Sequence, residues 1–128
     1  MAMPVMVPQY TVDDLNGFPE DGNRYELLDG MLLVTSAPGG RHQIIAARLI
    51  YYLSEPLVRS NLGKVTGPGV IVLRPRTQLE PDVLVFPGHI SARTEWVDVS
   101  EHWLAVEVLR SRNEITIVLW CPVPDIAT

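Results

Sequence analysis

At 128 residues, 47% hydrophobic and 20% charged, the chain has room for one domain spanning 1–128 and too much apolar content for disorder. A net charge of −5 argues against a strongly cationic nucleic-acid binder, although a metal site can recruit phosphate without a basic surface. No apolar stretch reaches the roughly 20 residues that span a bilayer, Met1–Pro8 lacks a basic start, and the lone Cys121 excludes an internal disulfide. These features predict a cytoplasmic protein with no membrane contact.

Thr11-Val12-Asp13-Asp14-Leu15 predicts a capped helical turn, with Thr11 at the N-cap and acids in the first turn. Asp21-Gly22-Asn23 is a turn signal. Tyr25–Leu28 and Met31–Thr35 flank Asp29-Gly30, a strong two-residue hairpin signal. Ser36–Gly40 breaks the pattern, and from Arg41 to Arg59 the period becomes helical, with Ile45, Leu49, Tyr52 and Leu53 on one face. Pro56 is expected to kink or end that helix, and Asn61-Leu62-Gly63 to stop it. Val70–Leu73 predicts a strand, as do Pro81–Phe86 and Trp103–Leu109. A polar connection, Gly88–Ser100, separates the last two. A hairpin, a long helix and three strands predict an α/β fold in which helices flank a mixed β-sheet.

Two of those strands each carry one carboxylate in an apolar run: Asp82 and Glu107. A charge there is costly to bury without a partner. Strand alternation puts Asp82, Leu84 and Phe86 on one face, and Trp103, Ala105, Glu107 and Leu109 on one face of the other strand. If the strands pair, facing Cβ atoms stand about 4.5–5.5 Å apart. Two carboxylates at that spacing can share a hard cation such as Mg²⁺, which would polarise a phosphodiester and lower the pKa of a bound water. His89, His102 and Cys121 show no ligand spacing for zinc, and Gly67-Pro68-Gly69 lacks the Lys-Ser/Thr of a phosphate loop. Trp96 and Trp103 read as core or interface residues. Arginine supplies nine of the ten basic residues and reads mainly as solvated surface.

Four strings in order carry a resemblance: Tyr25-Glu26-Leu27-Leu28-Asp29-Gly30, Arg41-His42-Gln43, Glu80-Pro81-Asp82-Val83-Leu84 and Leu104-Ala105-Val106-Glu107-Val108-Leu109. Over about residues 10–109 the chain resembles the restriction-endonuclease-like proteins, a bacterial group of unknown physiological role within the PD-(D/E)XK nuclease superfamily. The resemblance implies a restriction-endonuclease-like α/β core, a Mg²⁺ (or Mn²⁺) site and hydrolysis of DNA phosphodiester bonds. Asp82 and Glu107 match the two motif acids. Glu26 matches a characteristic glutamate expected to serve as a further ligand or orienting group. His42 matches a typical family position and is an additional candidate, although a helix-start histidine is more often solvated or capping.

The chain also departs from that pattern. The superfamily places a lysine two residues after the second acid, where this chain has Leu109, and its one lysine, Lys64, precedes the Asp82 strand. Arg110 and Arg112 can supply charge, but an arginine cannot accept a proton at ordinary pH. After Leu109 the resemblance stops, and residues 110–128 form an atypical tail containing a β-favouring run, Asn113–Cys121, followed by two prolines. One codon choice for Arg112–Val118 reads in another frame as Glu-Arg-Asp-Tyr-Asp-Arg, so a frameshifted ending is one hypothesis for a C-terminal part that is altered or truncated. An apolar sheet left open there would pair with another chain, predicting a homodimer or higher oligomer. Two functions follow: a metal-dependent endonuclease of impaired activity, or a catalytically inactive oligomeric binding or structural module on the same fold.

Overall fold

The computed structural model describes residues 9–111 and 114–120. Met1–Pro8, Arg112, Asn113 and Cys121, which entered the reading above, lie outside the described residues. The chain divides into two compact units, one formed by the described part of Met1–Ala37 with Val72–Leu79, the other by Pro38–Ile71 with the described part of Glu80–Thr128.

The first unit holds the expected hairpin. Strands β1 (Arg24–Leu28) and β2 (Met31–Thr35) pair antiparallel, with Leu28 opposite Met31. Asp29 and Gly30 both have positive φ, 48° and 85°, which the tight turn requires and which glycine tolerates best. The short helical turn at Val12–Gly17 starts after Thr11, whose backbone N–H donates to Asp14 Oδ2 at 2.8 Å.

The second unit begins with the 20-residue helix α1 (Gly40–Arg59). Its inward stripe is His42, Ile45, Ala46, Leu49, Ile50, Leu53 and Leu57, spaced three and four residues apart. Tyr52, expected on that stripe, is 70% exposed; Ala46 is the buried residue instead. Pro56 does not end the helix, which continues to Arg59 before Asn61 takes a positive φ of 58°.

Strand β3 (Gly63–Thr66) follows, then β4 (Ile71–Leu73), β5 (Thr77–Leu79), β6 (Val83–Pro87), β7 (Leu104–Ser111) and β8 (Glu114–Trp120). The α/β class is as expected, but the described strands form two sheets, ordered β2-β1-β5-β4 and β3-β6-β7-β8. The registered neighbours in both run antiparallel. All of β6 is buried, which explains its unbroken apolar run: it lies between β3 and β7, with α1 against the sheet. The core of this unit includes Val83, Leu84, Val85, Phe86, Ala105, Val106 and Val108, with Ala46, Ile71 and Val99. No helix among the described residues is long and apolar enough to cross a membrane.

Candidate functional site

Strand β7, which carries Glu107, is the neighbour of β6, which Asp82 immediately precedes. β6 pairs with β7 so that Val83 faces Val106, Leu84 faces Ala105 and Val85 faces Leu104. Asp82 occupies the position just before β6 rather than a place inside the strand. Continuing the register by one residue sets it opposite Glu107, as strand alternation requires. Asp82 is 7% exposed, and Glu107 is half-buried.

Two donors converge on one oxygen of Asp82. The backbone N–H of Val108 reaches Oδ2 at 2.7 Å, and His42 Nε2 lies 3.2 Å from the same atom. A carboxylate oxygen only accepts, so the contact at that distance suits donation from an Nε2–H. The helical stripe explains the reach of His42. It stands in the first turn of α1, three residues before Ile45 and seven before Leu49, and its side chain is 12% exposed. The solvated or capping reading of this histidine therefore gives way to a partly buried one. Sequence alone carried the signal, since His42 continues the apolar spacing of the helix.

Glu26 belongs to the first unit. It is buried in β1, and its Oε1 lies 3.1 Å from Arg24 Nε, a residue on the same face of the strand. Among the described residues, no group of three or more His, Cys, Asp or Glu side chains is gathered for a metal ion. The pair Asp82 and Glu107 nonetheless offers the donor chemistry a hard cation takes. Mg²⁺ needs one or two carboxylates and completes its octahedron with water.

The position two residues after Glu107 carries no charge. Leu109 is 47% exposed and faces Thr116 of β8. Lys64 is occupied elsewhere, donating Nζ to the carbonyl oxygens of Gly88 and, at 2.6 Å, Ile90. The Arg110 guanidinium sits beside the α1 N-terminus, with Nη1 3.6 Å from where a Cβ on Gly39 would stand. A separate open cavity of about 520 Å³ is walled by Lys64, Phe86, Arg93 and Trp96 among others, and Asp82, His42 and Glu107 do not line it. Trp96 is half-buried and packs edge-on against the buried Phe86, while Trp103 is 40% exposed. His102 is half-buried, and burial lowers its pKa from the ordinary 6.5.

No curated protein and no solved structure matches the chain significantly. A family model does: Uma2, described as "Putative restriction endonuclease", matches residues 12–117 and so extends beyond Leu109 into β8. That match covers most of the chain's length, and the chain belongs to the Uma2 family of restriction-endonuclease-like proteins.

Proposed function

We propose that this chain is a divalent-metal-dependent endonuclease-fold protein directed at DNA phosphodiester bonds, with Asp82 and Glu107 as the carboxylates that hold Mg²⁺ or Mn²⁺. The observation that carries this reading is the β6–β7 register, which sets the two acids opposite each other. Asp82 and Glu107 would hold the ion, which would supply Lewis-acid chemistry toward a phosphodiester and its attacking water. The chain's own part is to fix Asp82 through Val108 and to present Glu107 from the adjacent strand. The role of Glu26 rests on the family resemblance alone.

The exposed Leu109 supports a weak activity, since a leucine there neither orients water nor steadies charge on phosphate. That same residue favours the second reading, an inactive module that keeps the fold to associate. The β8 strand adds to it. β8 stands at the end of its sheet, with Ile117, Val118 and Leu119 exposed at 45%, 43% and 63%. A strand edge of this kind is a template for pairing with another chain, and we propose a homodimer or higher oligomer through it.

Incubation of the purified chain with supercoiled plasmid in Mg²⁺ or Mn²⁺ tests the enzyme reading. Slow metal-dependent nicking that Glu107→Gln abolishes supports it, and Glu26→Gln tests the third acid in the same assay. Leu109→Lys, which restores the superfamily's residue, is expected to raise the rate. No nicking by either protein would leave the inactive module as the better account.

A further inference from the structure

We propose that His42 is a positioning residue that fixes Asp82 for metal binding through its Nε2–H, and is not itself a ligand. The inference rests on the metal reading above and adds a role for a side chain on a different element. His42 Nε2 and the Val108 N–H approach the same oxygen, at 3.2 and 2.7 Å. One donor alone leaves a carboxylate able to swing about its χ2 torsion, which is broad and soft. A second donor, carried by a different element, restricts that swing. The contacts at Oδ2 join the first turn of α1, the residue just before β6 and the middle of β7.

The ring's other nitrogen supports the assignment. His42 Nδ1 is buried and has no hydrogen-bond partner. It is enclosed by protein, whereas a ligating nitrogen must face the ion and is usually joined by other ligands. No group of three or more metal-binding side chains is gathered around it among the described residues. His42 therefore meets the ion only through Asp82. Groups that orient a metal-binding side chain typically contribute about 10- to 100-fold in metal affinity.

Amide isosteres separate the two ring nitrogens. A glutamine places its N–H near the Nε2 position and can still reach Asp82. An asparagine places it near Nδ1 and falls short. Leucine fills the space and donates nothing. Mn²⁺ binding by calorimetry is expected to stay within about threefold of the parent in His42→Gln and to weaken about 10- to 100-fold in His42→Asn and His42→Leu. The metal-free protein gives a second readout. The Val108 amide proton, which reports the Asp82 carboxylate by NMR, is expected to hold its shift in His42→Gln and to move in His42→Asn. If Asn and Leu variants bind Mn²⁺ as the parent does, or the Val108 amide is indifferent to His42→Asn, the positioning role is wrong. A parent chain that binds no Mn²⁺ overturns the metal reading itself, a result distinct from unequal behaviour of the variants.

Discussion

The backbone N–H of Val108 donates to Asp82 Oδ2 at 2.7 Å, tying the peptide that follows Glu107 to the residue that precedes β6. The hydrogen bond continues the contact between β6 and β7 one residue beyond the last registered pair, Val83 and Val106. It therefore serves the fold as well as the site, and the two roles separate by substitution.

Asp82→Ala leaves a buried N–H without its acceptor and is expected to cost about 1–3 kcal/mol. Asp82→Asn retains an acceptor oxygen for Val108 and is expected to cost less, while still removing the negative charge a cation needs. Urea denaturation of the metal-free proteins checks the order: parent most stable, then Asn, then Ala.

Lys64 is expected to be a structural residue. Its ammonium holds the carbonyls of Gly88 and Ile90, so it fastens the chain that leaves β6. Lys64→Met is expected to lower the urea midpoint and to leave the Mn²⁺ affinity unchanged. A large fall in affinity with unchanged stability would give Lys64 the catalytic place that Leu109 lacks.

His102 sets a pH dependence whose sign follows from its environment. Burial lowers its folded-state pKa below the ordinary 6.5, and its Nε2 is buried without a partner. The unfolded chain then binds the proton more readily. The stability His102 contributes is full above pH 6.5 and is lost as pH falls through the lowered folded value. Thermal unfolding from pH 7.5 to about pH 5 is expected to show a decline that is shallower in His102→Gln.

The β8 edge gives an oligomer prediction. Ile117→Lys places a charge on an exposed, end-of-sheet strand, the usual means by which proteins block edge pairing. Light scattering at micromolar concentration is expected to find an oligomer for the parent and a smaller species for the variant. A monomeric parent would contradict the proposed association.

The hairpin, α1 and the acid-bearing strands were legible because each has a local cause: positive-φ turn residues at Asp29-Gly30, a helical apolar period from Ile45 to Leu53, and apolar runs bounded by proline or a polar connection. β3 and β5 were not. Gly63–Thr66 and Thr77–Leu79 are short and largely polar, and they are strands because β6 and β1 offer them partners. Tyr52 misled because a helical period fixes a stripe only to within one residue, and Ala46 fits the closer approach. Pro56 sits where the helix tolerates the loss of one N–H before ending three residues later. At the site, sequence found Asp82 and Glu107 as a facing pair. The donors that fix Asp82 come from tertiary structure, since His42 is 40 positions away and Val108 acts through its backbone.

The most direct test of the account is Mn²⁺ binding by electron paramagnetic resonance of the full chain beside Asp82→Ala and Glu107→Ala. The predicted result is a bound Mn²⁺ signal in the parent that both substitutions remove while the proteins stay folded. A parent that leaves all its Mn²⁺ free, or variants that bind it as well as the parent, would contradict a metal site at this pair of acids.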